Sequence, residues 1–186
     1  ILMLSGPSFA SEVAKDLPTA LALTSEDIHL AQAMAKALSS SHFRLYASND
    51  LVGTQVGGAC KNVIAIACGI VEGLHLGDNA RAALVTRGLA EITRLGCKMG
   101  AHLETFLGLS GVGDMILTCL SPQSRNQAFG FSLGQGVRLD DLLSNKKTLV
   151  EGVHTVKAAV ALAKKYDVDM PITFAIHQII NGEGTI

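Results

Sequence analysis

The chain has 186 residues, 48% of them hydrophobic and only 17% charged, which fits a well-buried core and excludes a disordered polymer. Its formal net charge is −1, from 15 basic and 16 acidic residues, so overall charge does not indicate a nucleic-acid partner. Aromatics make up 4% with no Trp, which argues against a base-stacking platform.

In chain order, Ile1-Leu2-Met3-Leu4 is an apolar run that breaks at Ser5-Gly6-Pro7, the pattern of a buried strand entering a turn. Pro7 suits the first turn of a helix predicted over about 8–16, with Pro18 as its stop. Thr19 to Leu23 reads as a second strand, Ser25 and Glu26 open an amphipathic helix over about 27–38, and Phe43 to Tyr46 reads as a third strand. This alternation predicts the edge of an α/β sheet over residues 1–48. The chain opens on Ile1 directly in a strand-like run, and so reads as a fragment.

After Ser48 the pattern is helical, with Gly punctuation and no convincing strand. Helices are predicted over about 50–74, 79–98, 102–107, 111–120, 122–134, 139–144, 151–166 and 171–181. Asp78 or Asn79 can cap the second of these, and Gly100 can follow its end. The fold class expected is mainly α: a helical domain over 49–186 preceded by about three strands of an incomplete α/β domain. The start lacks a basic n-region and a cleavage site, and the longest apolar stretch, Val63 to Val71, falls short of the roughly 20 residues a bilayer span needs. The expectation is a soluble cytoplasmic protein.

Cys60, Cys68, Cys97 and Cys119 show no CxxC spacing and no accompanying His cluster, so they read as reduced core thiols, and no metal site is expected. A dinucleotide fingerprint G-x-G-x-x-G must lie between a strand and a helix. Gly111-Val112-Gly113-Asp114 follows no strand, and Gly130, Gly134 and Gly136 fall in a helical stretch and its end, where helix punctuation explains them better.

Three polar groups stand in apolar surroundings. Lys61-Asn62 interrupts the small, apolar helical run from Gly57 to Gly69, where Lys61 shares its face with Thr54, Gly57, Gly58, Ile64, Ala65 and Cys68. None of these is charged, so a buried Lys61 needs a carboxylate from elsewhere in the fold. The alternative is a lysine that snorkels to the surface. Asp114 and Thr118 are four apart on one helical face; Asp114 reads either as a capping residue or as the partner of Lys61. Ser124, Arg125 and Asn126, after Pro122, cluster donors at a helix start, an arrangement favourable to an anion such as phosphate; a solvated polar turn is the plainer reading.

These residues resemble the bacterial-type NAD(P)-dependent glycerol-3-phosphate dehydrogenases over essentially the whole chain. The resemblance rests on Ser5-Gly6-Pro7-Ser8-Phe9-Ala10, the Gly57–Ile66 segment, Asn79-Ala80-Arg81 with Thr86–Glu91, Gly111–Asp114, Ser124-Arg125-Asn126 and Val150-Glu151-Gly152, in the family's order. It implies that residues 1–48 end a Rossmann-type cofactor domain and that Lys61 is the proton donor to substrate. It also implies that Asp114 orients Lys61, and that Asn62 and Thr118 line the pocket. Gly6 and Ser8 match substrate contacts, while Ser124, Arg125 and Asn126 match the holders of substrate phosphate. Ala10, Arg125, Leu149 and Glu151 match contacts to NAD or NADP, whose main site would lie outside this chain. The partner implied is dihydroxyacetone phosphate or sn-glycerol 3-phosphate, with no nucleic acid and no membrane span; a homodimer stays open. Two other readings remain: a related two-domain hydroxy-acid dehydrogenase, and a helical interaction module that packs a partner helix on the small-residue face around Gly57 and Gly58.

Overall fold

The structure, a computed structural model, describes residues 1–144 and 150–184. Strands β1 (Met3–Ser5), β2 (Thr19–Thr24) and β3 (Phe43–Ser48) form one sheet in that order. β1 is antiparallel to β2, and β2 is parallel to β3 with Leu21 opposite Leu45. A parallel pair requires a crossover, supplied by α2 (Ile28–Leu38), whose Ala35 joins Leu21, Leu23 and Leu45 in a small core. Asp27, rather than Ser25 or Glu26, caps α2 by accepting from the N–H groups of His29 and Leu30. The helix predicted over 8–16 shrinks to α1 (Ala10–Val13), because Phe9 is extended, Asp16 takes a left-handed φ of 57°, and no residue of α1 is buried to hold a longer helix.

The remainder is helical: α3 (Leu51–Gly73), α4 (Asp78–Lys98), α5 (Leu103–Leu107), a π-helical turn (Leu109–Gly113), α6 (Asp114–Leu120), α7 (Arg125–Gly134), α8 (Leu139–Ser144), α9 (Glu151–Tyr166) and α10 (Pro171–Ile180). α3 is the axis, with Val63, Ile64, Ala65, Ile66 and Cys68 withdrawn from solvent and α4, α6, α7 and α9 packed around it. By length and composition α3 could cross a bilayer, a point the Val63–Val71 stretch alone understates; 72% of its most apolar window is buried, as in a core helix. Gly130 and Gly134 do more than punctuate α7. Each sits against a carbonyl of α3, Ile66 and Ile70 respectively, where a Cβ would strike backbone, so the two helices cross at glycine distance.

Two buried carboxylates fasten this arrangement. Asp50 caps α3 through the Gly53 N–H (2.8 Å) and also accepts from the His102 N–H (2.9 Å) and the Thr105 hydroxyl (2.6 Å). Glu91 on α4 accepts from the N–H groups of Ile172 and Thr173 (2.7 and 3.1 Å) and from the Thr173 hydroxyl (3.0 Å), closing the N-terminus of α10. α4 itself starts after Gly77, with neither Asp78 nor Asn79 as its cap; Asp78 pairs with Arg81 instead, at 3.0 Å. Cys60, Cys68 and Cys119 are core thiols, as expected, and burial pushes Cys60 up to about 12. Cys97 is exposed, because it falls on the outer face of α4.

Candidate active site

Lys61 meets a carboxylate. Its Nζ lies 2.5 Å from Asp114 Oδ2, with 19% of the lysine side chain and 4% of the aspartate side chain exposed. Lys61 is thus neither a free surface lysine nor a sealed one: its stem is covered and its head reaches a restricted opening. Asp114 is the first residue of α6 but makes no capping bond. Its carboxylate accepts from the Thr118 hydroxyl at 3.1 Å, one turn on, and the Gly6 backbone N–H also acts on it to favour its charged form. Burial raises the Asp114 pKa above the ordinary 3.8, outweighing the opposing pull of Lys61 and of these hydrogen bonds.

The π-helical turn seats Asp114. Gly57 of α3 lies against the Ser110 carbonyl, the Ser110 hydroxyl donates to the Ser5 carbonyl at 3.4 Å, and Gly113 faces the Pro7 ring. The stretch predicted as one helix over 111–120 therefore divides into a wide turn and a short α-helix; such turns often mark functional sites. Between the end of β1 and these helices lies a cavity of about 240 Å³, lined by Ser5, Gly6, Ser8, Gly58, Lys61 and Asp114 with the apolar Met3, Leu4 and Leu21. Gly6 has φ 144°, a conformation that L side chains rarely adopt, and a Cβ there would press on Leu21. The face around Gly57 and Gly58 is consequently met from within the chain, by Ser110 and by Ser5 with Met3, rather than left open for a partner helix.

Asn62 is buried and is not among the residues lining this cavity. Its Oδ1 accepts from Asn126 Nδ2 (3.0 Å), its Nδ2 donates to Glu151 Oε2 (3.2 Å), and Asn126 Oδ1 accepts from the Gly152 N–H (2.9 Å). Arg125 pairs with Glu151 Oε1 at 3.3 Å, both side chains being about half exposed. Ser124 is the N-cap of α7, accepting from the Gln127 N–H; Pro122 stays in the preceding turn, so the helix begins at Arg125 rather than 122. Lys61, Asp114, Thr118, Gly6 and Ser8 are thus gathered on one side of α3, and Asn62, Ser124, Arg125, Asn126 and Glu151 on the next. Ala10 is exposed at the start of α1 and does not line the cavity, while Leu149 lies outside the described residues.

Sequence reasoning missed Ser5 and Gly58 as cavity walls. The signal was there for Gly58, three residues before Lys61 on the same face. It also missed the Glu151–Asn62 bond, which joins residues far apart in the chain. Of the segments that carried the family resemblance, Arg81 proves to bond Glu72 (2.6 Å) and Glu91 to cap α10, both scaffold roles. The described residues form no cradle for a dinucleotide. Gly111 and Gly113 belong to the π-helical turn, and Gly130 and Gly134 to a helix crossing.

A family profile described as the C-terminus of NAD-dependent glycerol-3-phosphate dehydrogenase matches residues 50–186. The chain belongs to this family. Among curated relatives, a glycerol-3-phosphate dehydrogenase [NAD(P)+] of Rhodospirillum rubrum is 58% identical over 98% of this chain and 52% of its own length. The protein of the same name from Parvibaculum lavamentivorans is 54% identical over 99% and 55%. The crystal structure of a glycerol-3-phosphate dehydrogenase from Coxiella burnetii superposes with a TM-score of 0.93 at 43% identity, covering 98% of this chain and 56% of that one. The chain spans about half the length of the relatives it matches. The mainly helical fold with a remnant of a Rossmann-like sheet is the architecture of this family's C-terminal part.

Proposed function

We propose that this chain is the substrate-side half of an NAD(P)-dependent glycerol-3-phosphate dehydrogenase, interconverting dihydroxyacetone phosphate and sn-glycerol 3-phosphate. The carrying observation is the Lys61 ammonium held by a buried carboxylate at the wall of a small polar cavity. As a carbonyl is reduced, negative charge builds on its oxygen, and a positioned ammonium both stabilises and protonates that oxygen. Lys61 is the proton donor, and the base in the reverse direction. Asp114 fixes the ammonium in place, and Thr118 holds Asp114 in turn. Gly6 and Ser8 contact substrate at the sheet end of the cavity. Arg125, with the N-terminus of α7 and its neighbours Ser124 and Asn126, takes the phosphate. Asn62, outside the cavity lining, ties Asn126 to Glu151 behind the phosphate holders.

On this reading residues 1–48 are the end of the dinucleotide-binding domain, and 49–186 are the substrate domain. When bound to the other half of the enzyme, the reduced nicotinamide supplies a hydride to C2; Ala10, Arg125, Leu149 and Glu151 are this chain's contribution to its edge. The full enzyme acts in the cytoplasm, supplying glycerol phosphate for phospholipid synthesis. The test is nicotinamide oxidation by the full-length protein against dihydroxyacetone phosphate and a panel of hydroxy-acid ketones. Preference for a keto acid would sink the proposal in favour of the hydroxy-acid reading. The 186-residue chain alone is expected to show no turnover, and measurable reduction by it would contradict the assignment of the cofactor site to the other half.

A further inference from the structure

Four hydrogen bonds join α3, α7 and the first turn of α9 in one directed series: Gly152 N–H to Asn126 Oδ1, Asn126 Nδ2 to Asn62 Oδ1, Asn62 Nδ2 to Glu151 Oε2, and Arg125 to Glu151 Oε1. A side-chain amide can be turned end for end, and each of the two asparagines could in isolation face either way. The ends of the series cannot turn. A backbone N–H only donates, and an ionised carboxylate only accepts, so every bond between them must run from Gly152 towards Glu151.

We propose that Glu151 is a positioning residue for the reaction assigned above: its carboxylate sets the direction of the Asn62 and Asn126 amides and holds the Arg125 guanidinium beside them. The inference rests on the dehydrogenase reading for its kinetic consequences, while the bonding series itself does not. It gives Glu151 a task on the substrate side of the site, where the family resemblance gives it only a cofactor contact.

The chemistry makes a specific variant informative. In Glu151→Gln the new amide has one oxygen for two donors. If that oxygen takes Asn62, its NH2 faces the Arg125 guanidinium; if it takes Arg125, its NH2 faces the Asn62 NH2. Turning Asn62 over only moves the conflict to Asn126, and turning that moves it to the Gly152 N–H. Asn62→Asp alone sets a second carboxylate against Glu151. The double variant E151Q/N62D removes both conflicts: the amide introduced by E151Q accepts from Arg125 and donates to the carboxylate introduced by N62D, which also accepts from Asn126.

In the full-length enzyme, E151Q is expected to lower kcat/KM for dihydroxyacetone phosphate about tenfold or more at saturating nicotinamide nucleotide, beyond whatever change its cofactor contact brings to the nucleotide KM. Each single variant should melt below wild type, and the double variant should recover more than half of the summed loss, whatever its activity. A rise confined to the nucleotide KM would leave Glu151 a cofactor contact and nothing more, and overturn the proposal. So would kinetic constants all within about twofold, or a double variant that melts, or fails to fold, no better than its parents. If the wild-type enzyme does not reduce dihydroxyacetone phosphate at all, the functional reading fails, and the melting comparison alone decides the role of Glu151.

Discussion

Glu91 and Asp114 are both helix carboxylates taken almost wholly out of water, and the fold uses them in opposite ways. Glu91 faces two backbone N–H groups and a hydroxyl of α10, donors that are fixed by the helix they belong to. Asp114 faces a hydroxyl, one backbone N–H and a lysine ammonium at the wall of a cavity. The first arrangement is closed and has nothing left to bind. The second leaves a cation whose head still reaches the opening, so its proton can be passed on. What separates scaffold from chemistry here is whether the charge's partner can exchange with a ligand, since the two carboxylates are almost equally buried.

Substitutions can break this contrast from either side. The largest effect is expected for Lys61→Ala in the full-length enzyme: a loss of about 10³-fold in kcat for dihydroxyacetone phosphate reduction, the scale of a lost general acid. Steady-state rates and a sizing column check it together. Unchanged turnover with altered association would favour the interaction-module reading instead. Asp114→Asn should cost about 10²-fold in kcat, because the ammonium loses its fixed partner.

The same variant carries a pH signature. Burial raises the Asp114 pKa, so the native state holds that proton over a range where the unfolded chain has released it. The stability owed to this group is therefore full below the ordinary carboxylate pKa of 3.8 and is lost as pH rises through the raised one. Denaturant titrations should show wild type losing ground to Asp114→Asn as pH climbs above about 4. A gap that is flat across that range would show that Asp114 titrates normally. The smallest catalytic effect belongs to Glu91→Gln, which should cost about 2 kcal/mol of stability through donors left poorly matched, with kcat per folded enzyme unchanged. A kcat loss at full folding would show that the two carboxylates are not separable.

Much of the helical part was legible in the sequence, because α3, α4 and α9 bury long apolar faces whose period survives any packing. The elements that shifted have little apolar surface to hold them. α1 kept a single turn, and α7 started three residues late because Ser124 is its cap and Pro122 falls outside the helix. The π-helical turn was illegible, since its apolar spacing reads as ordinary helix and the close backbone contacts at the turn, Gly57 with Ser110 and Gly111 with Phe106, form only in the fold. At the site, Lys61 could be recognised as a costly cation and Asp114 as one candidate partner, but the choice of pairing over capping, and the cavity's far wall from β1, came only with the fold.

The sequence by itself determined that a cation would sit in an apolar helix, that small residues would surround it, and that a second helix would carry a carboxylate and a hydroxyl four apart. Those are properties of residue type and spacing along one chain direction. Only the tertiary structure decided that Asp114 rather than solvent answers Lys61, that Asn62 turns toward Asn126 and Glu151, and that Arg81 and Glu91 serve the scaffold. The physical reason is that a charge or an amide is satisfied by whatever donor or acceptor stands within about 3 Å, and at that range the neighbours come from segments far apart in the sequence.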